Sequence, residues 1–185
     1  MIRLVPGTAS VLVALALAGA GPPGDESSPA FTLALARAFR EFPLYYAGER
    51  VDGLRLVAVL RRDDTASYVS FVYGECTPGD DAGCSPPAEI QVWPACRRNL
   101  ALYRGLQPAA LELEPTTIRG VRAALLENGL RLEIQTGPST VVVFADSRAR
   151  ALRIAEALRS VNGAVHPGAA FPDPAPGALE RNLTC

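Results

Sequence analysis

Along this chain the apolar positions follow a helical period at the two ends and a strand period in the middle. Phe31, Leu35, Phe39 and Phe42 recur at helical spacing, the stripe by which an amphipathic helix lies on a sheet. Ser28 as N-cap and Pro29 at the first helical position predict its start, and Pro43 its stop. A second helix is expected after Asp146 or Ser147 as cap, with Leu152, Ala155 and Leu158 inward and Asn162-Gly163 as its end. Arg148, Arg150, Arg153 and Arg159 fall largely off that stripe.

Between the helices the pattern is that of strands. Leu44-Tyr45-Tyr46-Ala47 is short and extended, and 48–53 turns the chain into the buried strand Leu54–Leu60. Tyr68–Tyr73 and Glu89–Trp93, rich in aromatic and β-branched residues, are expected to pair as a hairpin with a long loop. A short helix over Pro94–Arg104 would put Cys96, Leu100 and Tyr103 on one face. Thr116–Arg119 and Val121–Leu126 read as strand with Gly120 as a bulge. Asn128-Gly129, followed by the alternation Leu130–Gln135, predicts a two-residue hairpin turn. The unbroken apolar run Thr140–Phe144 predicts a central strand. Consecutive hairpins flanked by terminal helices define an α+β class: a mainly antiparallel sheet packed on one face by two helices.

The ends lie outside that pattern. Met1-Ile2-Arg3, the apolar run Ala9–Ala18 and the triplet Ala18-Gly19-Ala20 have the three parts of a signal peptide over residues 1–20. A membrane anchor is the rival reading, but a span needs about 20 apolar residues, and no stable span is expected after cleavage. Residues 21–28 read as a flexible mature N-terminus, 29–165 as the domain, and 166–185 as a Pro-rich tail with prolines at 167, 172, 174 and 176.

Export makes the cysteines readable. Cys76, Cys84, Cys96 and Cys185 are even in number, and they lack both C-x-x-C spacing and histidine neighbours. Disulfides therefore fit better than zinc. Four cysteines allow three pairings that sequence does not select among. The compact loop CTPGDDAGC favours Cys76–Cys84, leaving Cys96–Cys185 to strap the tail onto the body.

Composition narrows the functional classes. With 49% hydrophobic residues the chain can bury a core, and a net charge of −1 gives no footprint for nucleic acid. All 18 basic residues are arginine, which with the Ala, Gly and Pro usage points to a high-GC bacterial source. The single histidine, His166, sits in the tail, where a catalytic base would not be held rigidly. Glu75, Asp80, Asp81 and Glu89, or Asp63 with Asp64, are the carboxylates available for histidine-independent hydrolysis. Most of them sit in turns, where Asp is common for backbone reasons, and Glu89 reads as an outward strand residue. Asp80-Asp81 lacks the alternating oxygen ligands of a calcium loop. Thr136–Thr140 is a turn without the lysine of a phosphate loop. No catalytic constellation, cofactor or metal is expected. Tyr45, Tyr46, Trp93 and Tyr103 are the candidates for an aromatic binding surface; the competing reading is that most of them cap the sheet edges and core.

The segments FPLYYAGERVDGLRL, YGECTPGDDAGCSPPAEIQVWPAC and TGPSTVVVFADSRARALRIAEALRSVN resemble uncharacterised exported proteins of high-GC Gram-positive bacteria, over residues 40–185. More loosely, IRGVRAAL, a hairpin, an apolar strand and a helix ending IAEALRSV are similar to small extracytoplasmic sensor or lipoprotein-type domains. The chain departs from the latter in lacking a lipobox cysteine. The resemblance implies a secreted or cell-envelope setting and assigns no activity to any residue. A non-catalytic domain that binds a protein or small ligand is the leading expectation. The alternatives are a carrier of an apolar ligand and a histidine-independent hydrolase.

Overall fold

The computed structural model describes residues 31–63, 67–76, 85–103, 113–180 and 184–185. The expected signal peptide, the mature N-terminus and the Ser28-Pro29 helix start lie outside these residues. The described elements are mostly strand. A pair, β1 (Tyr45–Tyr46) and β10 (Arg159–Ser160), stands apart from one large antiparallel sheet. In chain order the large sheet contains β2 (Arg50–Val51), β3 (Leu54–Arg62), β4 (Tyr68–Tyr73), β5 (Ala88–Pro94), β6 (Glu114–Ile118), β7 (Val121–Leu126), β8 (Arg131–Thr136) and β9 (Ser139–Ala145). Their order across it is β2-β3-β4-β5-β9-β8-β7-β6. β9, the predicted central strand, joins the two halves through β5 and β8. The β4–β5 hairpin pairs as its sequence predicts, Phe71 opposite Ile90.

Among the described residues there are two helices, α1 (Leu33–Ala38) and α2 (Arg148–Ala157). α2 lies against β8 and β9 and buries Ala151, Ile154 and Ala155. Its N-cap is Ser147, whose hydroxyl accepts from the Arg150 N–H at 3.3 Å. The helix stops five residues before the expected Asn162-Gly163 end. Leu158 turns extended and fully buried, and the next two residues pair with β1 instead. α1 is shorter than its phenylalanine stripe suggests: Thr32 caps it, Leu35 is exposed, and Phe39 and Phe42 are buried beyond its end.

The sheet is curled. Laid flat, eight strands would span about 34 Å, whereas a ten-residue helix is only about 15 Å long. Yet α2 reaches both edges. Arg150 and Arg153 bond Asp52, in the β2–β3 turn, at 2.8 and 2.7 Å. Arg148 makes a two-pronged pair with Glu114 of β6 at 2.6 and 2.7 Å. The accumulated strand twist has wrapped the sheet about the helix, and Val69, Phe71, Tyr73, Ile90, Val92, Leu132, Ile134, Val141 and Val143 fill the inner face.

Gly137-Pro138 turns the chain between Thr136 and Ser139 as expected, but two other turns differ from the sequence reading. Asn128-Gly129 does not make a two-residue turn. Leu126 pairs with Arg131, so 127–130 form the loop, and Glu127, Asn128 and Gly129 all have positive φ. A side chain at 129 would also meet Arg148 at 2.7 Å, so only glycine fits beneath α2. The two-residue turns are elsewhere. Arg119-Gly120 joins Ile118 to Val121 with φ of 49° and 92°, a turn and not the expected bulge. Asp52-Gly53 joins Val51 to Leu54 with φ of 50° and 80°.

Pro94–Arg104 does not form the expected helix. The chain turns once after Pro94 and resumes as a 3-10 turn at Leu100–Tyr103. Buried Asn99 explains the break. Its amide donates to the Ala95 carbonyl and accepts from the Ala101 N–H, both at 2.9 Å, competing with the helical ladder.

Cys96 and Cys185 form a disulfide with Cα atoms 5.1 Å apart. Cys76 is also disulfide-bonded; Cys84, its expected partner, lies outside the described residues. The tail is a hydrogen-bonded strap. Phe171 N–H donates to the Arg119 carbonyl, Thr136 to that of Pro172, and Ala175 N–H to that of Gly137. Arg119 fastens its start, donating to the carbonyls of Leu158 and His166, both at 2.6 Å, with its guanidinium 4.0 Å from the Phe171 ring centre.

Candidate functional site

Strand alternation gives the sheet a second face, and on the central strands that face is polar. Ser70 pairs with Gln91, Gln91 with Val142 and Val142 with Glu133, forming one row across β4, β5, β9 and β8. Trp93, Thr140 and Gln135 form the next. An antiparallel sheet usually leaves such a face to water. Here Glu133, Gln135 and Thr140 are 0% exposed and Ser70 is 2% exposed. The chain folds back against Thr140 after β5: the Ala95 N–H donates to the Pro138 carbonyl at 2.8 Å, and Thr140 donates to the Arg98 carbonyl.

Buried polar groups need partners, and these are linked in a chain. Ser70 donates to Glu89 at 2.5 Å, Gln91 donates to the same carboxylate at 2.9 Å, and the Trp93 indole donates to Gln91 at 3.1 Å. Tyr68 stacks on Trp93 with ring centres 4.2 Å apart, and the Arg98 guanidinium lies 5.3 Å from the indole. Arg98 then bonds Glu133, which also has Arg131 within 3.4 Å, and Arg131 pairs with Glu127 at 2.8 Å. Thr140 further donates to Gln135, and Gln135 to the Ser139 carbonyl. The network runs from β4 to the β7–β8 loop, and Trp93, Tyr68 and Arg98, each only partly buried, are its outlet towards solvent.

The four aromatic candidates do not form one surface. Trp93 is on this polar face. Tyr45 is buried on the other side, edge-on to Phe171 at 5.6 Å, and burial pushes its hydroxyl above the usual phenol range. Tyr46 leans on Phe71, a core residue, at 5.7 Å. Tyr103 ends the 3-10 turn, and its side chain is outside the described set. Tyr68 takes the place beside Trp93 that was expected of the other tyrosines. The sequence signal was its position at the start of the YVSFVY strand, across the hairpin from Trp93.

The carboxylates are spread out. Glu89 and Glu133 share the polar face, but β9 runs between their strands, two strand spacings or about 10 Å. Each already accepts strong donors. Asp63 pairs with Arg61, and Glu75 is exposed. Asp64, Asp80 and Asp81 lie outside the described residues. Ser70 and Glu89 resemble a nucleophile and its base, yet Ser70 is too buried to meet a substrate. His166 is exposed in the strap. Among the described residues no group of His, Cys, Asp and Glu side chains is placed to hold a metal ion, and no helix is long and apolar enough to cross a membrane.

Fold and site together define a disulfide-strapped α+β domain whose curled antiparallel sheet is apolar inside and carries a polar, aromatic network outside. Comparison with protein families, curated proteins and solved structures finds no match to this chain.

Proposed function

We propose that the chain is an exported, non-catalytic binding domain that meets a protein or small ligand through the polar face centred on Tyr68, Trp93 and Arg98. The carrying observation is the construction of that face. A buried hydrogen-bond network is costly to assemble and holds its members rigidly, and it ends in a stacked Tyr–Trp pair with a guanidinium over the indole. Rigid aromatic and arginine groups are those that dominate recognition surfaces. In the same reading α1 and α2 both cover the inner face, which Ala36 and Ile154 support by belonging to one apolar cluster. A secreted or cell-envelope location, the signal peptide at 1–20 and kinship with exported proteins of high-GC Gram-positive bacteria complete it. The Cys96–Cys185 disulfide is compatible with that setting.

One observation favours the apolar-ligand carrier as a second reading. A half-open pocket of about 320 Å³ lies beside the strap, lined by Phe42, Pro94, Pro138 and Pro176 together with Glu41 and Thr184. That volume is at the small end of ligand sites.

Trp93 is the sole tryptophan, so its fluorescence reports on the face directly. The chain and its Trp93→Ala variant, both immobilised, are exposed to a cell-envelope extract of the producing organism. A component retained by the former and lost by the latter, whose purified form then shifts the Trp93 emission of the unmodified chain, is the expected result. Equal retention by both would reject the face as the site. An apolar fluorophore displaced from the pocket of about 320 Å³, with no change at Trp93, would favour the carrier.

A further inference from the structure

The β2–β3 hairpin gathers two pairs of arginines and treats them differently. Arg150 and Arg153 share the Asp52 carboxylate at its turn, so an acid answers both cations. Arg50 and Arg55 stand directly opposite each other on β2 and β3, and no acid answers them. The Leu56 N–H bonds the Glu49 carbonyl at 2.9 Å, which makes Arg50–Arg55, the next position, a non-hydrogen-bonded pair. There the Cα atoms lie only about 4.5 Å apart and the side chains are closest. Val51 is buried, so alternation turns both arginines to the outer face, where they are exposed. Like charges set opposite each other destabilise a strand pair. The neighbouring acids are engaged elsewhere: Glu49 pairs with Arg37 at 3.7 Å, and Asp52 with Arg150 and Arg153. Across β3 the Gly74 N–H bonds the Arg55 carbonyl, and glycine has no side chain to offer. Neither Arg50 nor Arg55 has an ion-pair or side-chain hydrogen-bond partner among the described residues. Two positions before Arg50 the Arg159 guanidinium rests on Gly48, 3.1 Å from where a β-carbon would stand. Its Nε is buried without an acceptor among the described residues. Positive charge is thus concentrated at one corner of a chain whose net charge is −1.

We propose that Arg50 and Arg55 together hold a phosphoryl group, a doubly charged tetrahedral oxyanion that bridges the two guanidinium groups. A dianion offsets both charges at once, whereas a carboxylate offsets one. Its oxygens point to more than one side, so each planar fork meets its own acceptors. The repulsion between the two arginines is what the anion relieves. This site is separate from the aromatic face: Gly74 lies one residue beyond β4, about 20 Å along the strand from Tyr68.

Titration of the full, disulfide-bonded chain with inorganic phosphate tests this, with sodium chloride adjusted to hold the ionic strength constant. Phosphate should raise the melting temperature by a few degrees. It should also shift two arginine Nε–H resonances, one of which is missing from the spectrum of Arg50→Gln. That variant should bind phosphate at least tenfold more weakly. Before phosphate is added it should melt at or above the wild-type temperature, because it removes a repulsion and breaks no ion pair. Trp93→Ala should respond to phosphate as wild type does. Vesicles of phosphatidylcholine with and without phosphatidic acid separate the sources. Binding that needs both phosphatidic acid and Arg50 assigns the site to a lipid headgroup, and a phosphate response without vesicle binding assigns it to a soluble phosphoryl compound. No response to phosphate, equal responses of wild type and Arg50→Gln, a stabilisation that chloride reproduces, or an Arg50→Gln variant less stable than wild type without phosphate would each overturn the proposal.

Discussion

The two faces of the sheet are made by the same strands and held by different physics. On the inner face Phe71, Ile90, Val143 and Leu132 lie side by side across β4, β5, β9 and β8. Their burial is non-directional, scaling at about 25 cal/mol per Å² of apolar surface. One residue along on the same strands lie Ser70, Gln91, Val142 and Glu133. There stability depends on each donor meeting one acceptor, and a missing partner costs more than the contact gains. The inner face is therefore robust and carries no chemical message, whereas the outer face is expensive and specific. The strap joins the two: it leaves the end of α2 on the inner side and finishes at Cys96, in the segment that folds back against Thr140 on the outer side.

The largest way to break this arrangement is to release the strap. Replacing Cys96 and Cys185 by serine removes a cross-link spanning 89 positions, about 4–5 kcal/mol in the chain-entropy model. Urea unfolding should show that loss; one below about 1 kcal/mol would mean that the strap's hydrogen bonds suffice. Next is Phe71→Ala on the inner face, expected to cost about 4 kcal/mol by cavity formation, with Trp93 fluorescence of the folded state unchanged.

On the outer face Arg98→Met should cost about 3 kcal/mol, because Glu133 stays buried with one of its cationic partners gone. The contrast between faces predicts a partial rescue. Adding Glu133→Leu removes the stranded charge, so the double variant should be more stable than Arg98→Met alone. Additive losses would show that the pair is not coupled.

The smallest effect concerns the curl. Hydrogen bonds from Arg153 and then Arg150 hold the Asp52 carboxyl well below the usual carboxylate range. A depressed folded pKa adds stability above the unfolded value, near pH 4, and that contribution is withdrawn as the pH falls below it. Asp52→Asn should therefore lower the melting temperature by a few degrees at neutral pH, and wild type and variant should converge in acid. A difference that persists at low pH would assign the effect to packing.

Much of this was legible in the chain because it is local. Aromatic and β-branched content marks Tyr68–Tyr73 with its observed bounds, and the apolar run at 140–144 marks the central strand. Ser147 could be read as a cap because the bond it accepts is three residues away. The Cys96–Cys185 strap is the pairing left over once the compact loop favours Cys76–Cys84, one of three that the sequence allows. The aromatic site was half legible: Trp93 was a candidate, but Tyr45 and Tyr46 were grouped with it by residue type, and only the fold puts them on the opposite side of the sheet.

Apart from that disulfide, what the sequence leaves open is what joins distant positions. Asn128-Gly129 is a strong local hairpin signal, yet the packing of Gly129 under Arg148 decided that loop, and Arg119-Gly120 took the two-residue turn. Glu89 reads as an outward residue and Glu133 as one beat of an alternating strand; that Glu133 is wholly buried depends on Arg98, 35 positions earlier. Periodicity tells which residues share a face, because side-chain direction is fixed by the backbone. Which face meets water is set by what the rest of the chain lays over it, and that is a property of tertiary structure alone.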